Sequence, residues 1–232
     1  MAETSSYNGF SKNSIVFLND ILTNNKKEWL NDNRNRYEEF LLQPMRQLVN
    51  DLAPTISIID PQIDIEPKVG RTISKIFRDV RFSTDKSPLR ANVWLTFKPR
   101  GSDGRITPSF YFDLSYNNWS YGMGFYCAAP YVMRLFREKI MAKPDFFLNA
   151  VRTVSSNFEV NGENYKRPPV INYPENLTVK QIQYLNPWLM KKSFYWSCTK
   201  KHDKDLFSSG LADIISKDFI TLSAIYSFLI NQ

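Results

Sequence analysis

The chain has 232 residues, 43% hydrophobic, 15% aromatic and 23% charged, with a formal net charge of +7. This is globular composition with an aromatic excess, which argues against a disordered or low-complexity chain, and no apolar run reaches the roughly 18 residues of a membrane span. The first twenty residues lack the basic start and apolar stretch of a signal peptide, so a soluble cytoplasmic protein is expected, with Cys127 and Cys198 as reduced core thiols.

Residues 1–12 read as a polar, disordered N-terminus and 13–232 as a single α+β domain. Phe17, Leu18, Ile21 and Leu22 recur at helical spacing and Asn24-Asn25 supplies a stop. A second helix starts near Lys26 and carries Trp29, Tyr37, Phe40, Leu41, Leu48 and Leu52 on one face; Pro44 forces a kink or a fresh start and Ala53-Pro54 closes it. Asn33 sits midway between Trp29 and Tyr37 on that stripe, where a buried amide needs a partner.

After IDPQIDIEP the period becomes alternating. A strand is expected through Arg71, Ile73, Lys75 and Phe77. Val93, Leu95 and Phe97 then alternate with Asn92, Trp94 and Thr96, and Phe110, Phe112 and Leu114 with Tyr111, Asp113 and Ser115. With WSYGMGFY these form an antiparallel meander. Pro130 opens a helix burying Val132, Leu135, Phe136 and Ile140, and Pro144 another burying Phe147, Leu148 and Val151. Thr178 to Gln181 is a capping-box pattern whose short helix Asn186-Pro187 ends, SFYWSCT reads as a strand, and one helix runs from about Leu211 to the end. The fold class is therefore α+β: a central antiparallel sheet flanked by N-terminal and C-terminal helices.

Several chemistries lack their residues. His202 is the only histidine, set in the polar run KKHDKD, and there is no HExxH, CxxC, GxSxG or Walker A pattern. No metal site is expected and no cofactor is indicated. Gly122-Met-Gly124 is followed by Cys127 where a dinucleotide fingerprint needs its third glycine, so these glycines point to a bulge or a close approach of backbone or ligand.

The distinctive stretch is FRDVRFSTDKSPLRANVWLTF, residues 77–97. Residues 66–105 hold ten Lys or Arg against four Asp or Glu, whereas residues 1–65 hold six against nine. Asp79 and Arg81 can pair at i, i+2, and Ser83, Thr84 and Asp85 offer turn-forming side chains. Arg71, Arg78, Arg81, Lys86 and Arg90 outnumber Asp79 and Asp85, which favours an anion site built from arginine forks with Ser83 and Ser87 as extra donors.

The segments NNKKEWLNDNRNRYEEFLLQPMRQL (24–48), PKVGRTISKIFRDVRFSTDKSPLRANVWLTF (67–97), YGMGFY and PWLMKKSFYWS (187–197) together resemble the family catalogued as domain of unknown function 2461. Leu30, Leu89 and Arg90 stand where the family pattern has an aromatic, a tyrosine and a lysine. The resemblance implies a full-length domain and carries over no catalytic residue. It marks Trp29, Asn33, Tyr37, Arg78, Asp79, Arg81, Ser83, Asp85, Lys86, Tyr111, Gly122 and Gly124 as positions to inspect for convergence.

Three functions compete. The first is a site for a small phosphate- or carboxylate-bearing ligand, of which an enzyme is one form; a carboxylate beside cations is a weak base, which counts against Asp79 or Asp85 in that role. The second is a structural or interaction protein whose loop charges form an internal network. The third is nucleic-acid binding with Trp94, Tyr111 and Trp119 as stacking platforms, which no motif supports. The sequence leaves the oligomeric state open.

Overall fold

Prolines shape the N-terminal helices without ending them. The computed structural model describes residues 9–125, 127–167 and 169–230; residues 1–8 of the expected polar terminus lie outside the described residues. Helix α1 (Lys12–Thr23) opens on a Ser11–Ser14 capping box and buries Phe17, Leu18 and Ile21. Two short helices follow, α2 (Lys27–Asp32) and α3 (Arg34–Tyr37), then a π-helical turn Glu38–Leu42 and the long α4 (Gln43–Ile59).

Pro44 has no amide hydrogen for the Phe40 carbonyl, and the helix widens into the π-turn just before it. The buried Ser14 hydroxyl donates to that freed carbonyl at 2.7 Å. Pro54 does not close the helix as expected: α4 runs on to Ile59 and keeps Leu52 and Ile56 buried on one stripe. Asn50, whose carbonyl loses its partner to Pro54, is exposed, so water can serve it.

The sheet strands are β1 (Asn92–Phe97), β2 (Ser109–Ser115), β3 (Trp119–Gly124), β4 (Glu159–Asn161) and β5 (Tyr195–Lys200), ordered β1-β2-β3-β5-β4. The chain is an α+β protein with a five-stranded antiparallel sheet. β4 pairs with β5 in the register Glu159 to Ser197, Val160 to Trp196 and Asn161 to Tyr195. The strand expected over 71–78 is only a set of isolated bridges, among them Ile73 to Leu95 and Phe77 to Leu89. A side chain interrupts the ladder there: the Trp94 amide donates to Ser74 Oγ at 3.0 Å instead of to a backbone carbonyl.

Contacts divide the chain into two compact units. One comprises residues 1–97, 111–121 and 199–217, and the other 98–110, 122–198 and 218–232. In the first unit, Phe10 stacks on Phe112 with centroids 5.6 Å apart, Phe112 meets Trp119, and Trp119 stacks on Tyr121 at 5.5 Å. Gly9 adopts φ +83° against the Phe207 backbone, where a Cβ would come within 2.6 Å of the Phe207 carbonyl carbon, so only glycine fits.

The second unit holds most of the aromatic excess. Phe136, Phe147, Trp188, Phe194 and Trp196 form one chain of ring contacts between 5.3 and 5.8 Å. Helix α5 (Pro130–Ala142) supplies Met133, Phe136 and Ile140 to this core, whereas Leu135, expected inward, is exposed. The true stripe starts one residue after Val132. Helix α6 (Pro144–Arg152) buries Phe147 and Ala150, and α7 (Val179–Leu189) carries the expected capping box, with the Gln181 amide donating to Thr178 Oγ1 at 3.2 Å. Pro187 is accommodated inside α7 and does not end it.

The C-terminal segment is two helices, α8 (Leu211–Thr221) and α9 (Ser223–Ile230), where one was expected. Neither cysteine forms a disulfide among the described residues; Cys198 is buried, but Cys127 is exposed and so is not the core thiol expected. Cys127 also adopts φ +55°.

Candidate functional site

The stretch that carries the sequence signal is a loop closed at its base by backbone bonds. The Arg78 amide donates to the Pro88 carbonyl at 2.8 Å and the Arg90 amide to the Ile76 carbonyl at 2.9 Å. Asn25 locks the same base from outside. Its Nδ2 donates to the Leu89 carbonyl at 3.0 Å and its Oδ1 accepts from the Leu89 amide at 2.8 Å, so one side chain substitutes for a neighbouring strand. Asn25 reads from sequence only as a helix stop, because nothing local announces a partner 64 residues away.

The loop cations mostly find partners inside the protein. Arg81 forms a fork on Asp79, with Nε 2.9 Å from Oδ1 and a terminal nitrogen 2.6 Å from Oδ2. This is the i, i+2 pair expected, but it sits in a turn and not on a strand. Arg78 pairs with Asp85, whose other oxygen caps the Ser87 amide at 2.9 Å. Lys86 donates to the Val80 carbonyl at 3.0 Å. Arg71 is held by Asp64 at 2.9 Å and also by Glu66, two carboxylates lying before residues 71–90. The surplus of cations over Asp79 and Asp85 is thus smaller than the segment alone suggests.

These pairs shift the carboxyls. The Arg81 guanidinium holds the Asp79 carboxyl down to about 2, and the Ser87 amide together with Arg78 holds Asp85 well below the usual carboxylate range. Both groups are fully exposed, so water and salt screen the pairs. Phe82 stands at the tip, 95% exposed, with the Arg81 guanidinium 5.7 Å from its ring. Ser83 is half-buried beside it, its amide bonded to the Val80 carbonyl.

Arg90 is different. It is half-buried, its Nε is fully enclosed, and among the described residues that Nε has no hydrogen-bond partner. Its guanidinium lies 5.0 Å from the centroid of Trp94, which places it over the half-buried face of β1. Burial alternates along β1 and β2, so Val93, Leu95, Phe97, Phe112 and Leu114 point into the core while Asn92, Trp94, Thr96, Tyr111, Asp113 and Ser115 share the other face.

Asp113 is the titratable group on that face. Burial pushes its carboxyl up to about 6, against a single opposing contact from Asn92, whose Nδ2 donates to Oδ2 at 2.8 Å. No cation among the described residues pairs with it. The outward face of β1 and β2 therefore carries, over Trp94, a guanidinium whose Nε has no acceptor among the described residues, and, beside Asn92, a carboxylate that pairs with no cation among them. Sequence reasoning singled out Arg90 and Tyr111 but missed Asn92 and Asp113. The available signal was two amide or acid side chains at outward positions of neighbouring predicted strands.

The remaining candidates fall elsewhere. Asn33 ends α2, its Nδ2 donating to the Trp29 carbonyl and its Oδ1 accepting from Arg36, each at 2.9 Å; Arg36 goes on to Asp20 at 2.7 Å. Tyr37 is buried against Phe17, and burial pushes its phenol up to about 12. Gly122 and Gly124 belong to the second unit, where a Cβ on Gly124 would sit 2.4 Å from Tyr195 Cα, so this glycine serves a close backbone approach. Trp119 is fully buried and donates from Nε1 to the Lys201 carbonyl at 3.0 Å, so it offers no stacking platform. His202 Nε2 lies 3.0 Å from the Ser115 carbonyl.

Fold and face define an α+β protein with an arginine and a half-buried carboxylate on the same outward side of the β1–β2 pair. Among the described residues no helix is long and apolar enough to cross a membrane. The chain belongs to the family of conserved hypothetical proteins DUF2461, whose profile matches residues 13–228. No curated protein matches the sequence.

Proposed function

We propose that the Arg90 face of β1 and β2 binds a small ligand carrying a carboxylate or phosphate, with Arg90 as the anchor. One observation carries this reading: Arg71, Arg78 and Arg81 each have a carboxylate of their own, while the enclosed Nε of Arg90 has no acceptor. The enclosed Nε lies out of an anion's reach, but the terminal nitrogens are not enclosed, and an anion there would supply the counter-charge that the other three arginines already have. Arginine is suited to it because its fork meets such oxygens in a bidentate manner. In this reading the loop network is structural and holds Arg90 in place, which also accommodates the second reading, an internal ion-pair role for Arg78, Asp79, Arg81 and Asp85. A cytoplasmic location belongs to the same proposal, supported by the absence of a disulfide among the described residues.

A thermal-shift screen with phosphate, nucleotides and organic acids tests it. At least one class should raise the melting temperature of the wild type and of Arg78→Ala, and fail to raise that of Arg90→Ala. Absence of any shift at millimolar concentrations, or a shift that survives Arg90→Ala, sinks the proposal.

A further inference from the structure

Two opposite charges on one face each lack a counter-charge, and they do not use one another. The Arg90 guanidinium rests over Trp94, while the Asp113 carboxylate is fixed one outward position along β1 by Asn92. Successive outward residues on a strand lie roughly 7 Å apart, a gap that a molecule of a few heavy atoms can bridge. A plain anion would satisfy Arg90 and leave Asp113 ionised, half-buried and unpaired. A plain cation would do the reverse. Burying an uncompensated charge costs several kcal/mol, so the occupant that relieves both groups carries both signs.

Resting on the anion-binding reading above, we propose that the ligand of this face is a small zwitterion of the amino-acid class, its acid group on Arg90 and its ammonium group on Asp113. Asn92 orients the carboxylate toward the ammonium, since its amide already occupies Oδ2 and leaves Oδ1 for the ligand. Trp94, on the same outward face, carries Arg90 over its ring. Ligands with longer apolar side chains have the half-buried Thr96 and Tyr111 as further neighbours on the same face.

Isothermal titration with matched probes tests the assignment. Glycine, β-alanine and γ-aminobutyrate supply both charges, acetate, propionate and butyrate the acid alone, and methylamine and ethylamine the base alone. At least one zwitterion should bind ten-fold or more tighter than its matched carboxylate. Asp113→Asn should abolish that advantage while keeping carboxylate binding, and Arg90→Ala should lose both. Carboxylates that bind as tightly as their zwitterions, with dependence on Arg90, overturn the zwitterion and leave the anion site standing. No binding by any probe in the wild type overturns both. The wild-type series is decisive by itself, so the outcome does not hang on the folding of either variant.

Discussion

Replacing Asp113 with Asn should stabilise the protein at neutral pH. The two side chains are nearly isosteric, and Asn keeps an oxygen to accept from Asn92 but never ionises. Burial raises the folded carboxyl from 3.8 to about 6. At about 1.4 kcal/mol per tenfold change in proton affinity, ionising it in the folded state costs about 3 kcal/mol more than in the unfolded chain. A folded value above the unfolded one means that the native state holds the proton more tightly. Wild-type stability from this group is therefore fully present below pH 4 and is lost as pH rises through about 6. Urea unfolding of wild type and Asp113→Asn at pH 4.0 and pH 7.5 measures the difference. The two proteins should be close at the acid end, and the variant should gain up to about 3 kcal/mol relative to wild type at the neutral end. Exposed carboxylates titrate alike in both proteins and cancel. A gap that does not grow between pH 4 and 7.5, or a variant less stable at pH 7.5, refutes the premise that Asp113 is a buried charge without a partner.

Three further outcomes follow from the geometry. Asn25→Ala leaves the Leu89 amide and carbonyl without their partner, and it should cost about 1–3 kcal/mol by urea unfolding and speed amide exchange across residues 78–90. Gly124→Ala places a Cβ 2.4 Å from the Tyr195 backbone, and overpacking of that kind should lower stability by about 1–3 kcal/mol, seen as a fall in melting temperature. The loop carboxyls behave oppositely to Asp113: Asp79 is lowered to about 2 by Arg81, so its contribution is present above the unfolded value of 3.8 and disappears as pH falls toward 2. Protection factors in the loop should fall only below pH 4, and in high salt, with little effect on global unfolding because the pairs are exposed.

What the sequence revealed depended on whether a feature was local. The alternation of 92–97 and 110–115 fixed both strands and their core faces, since a period of two leaves no choice of side. The capping box at Thr178 was legible for the same reason: donor and acceptor lie within one turn. The prolines misled because their cost is set by whether the freed carbonyl finds another donor. Ser14 serves Phe40 from a different helix, and solvent serves Asn50. Likewise the charge count over 71–90 treated the loop as closed, and Asp64 and Glu66 entered only through the fold. Asp113 looked like an ordinary outward residue between Phe112 and Leu114. Its burial is not recorded by any spacing along β2.

The contrast between the loop and the face bears on why Arg90 and Asp113 stay apart. In the loop, flexible side chains on turns have closed every arginine onto an available carboxylate at little cost in packing, and exposed pairs of that kind hold geometry more than they add stability. On the face, the same opportunity is withheld by the backbone. Arg90 is tethered through its amide to Ile76 and its guanidinium is laid on Trp94, while Asp113 is in the middle of β2 with its carboxylate turned by Asn92. Each charge is carried on a backbone fixed by its own hydrogen bonds, and among the described residues the two form no ion pair. Such preorganisation is unfavourable in the empty protein, and under the zwitterion proposal a matching ligand would meet both partners already oriented. A face that served stability alone would be better built from an apolar pair of the same volume, since a buried ion without a partner is worse than well-packed hydrocarbon. On that proposal the loop network and the Asn25 lock would share a role, fixing the base from which Arg90 reaches over Trp94.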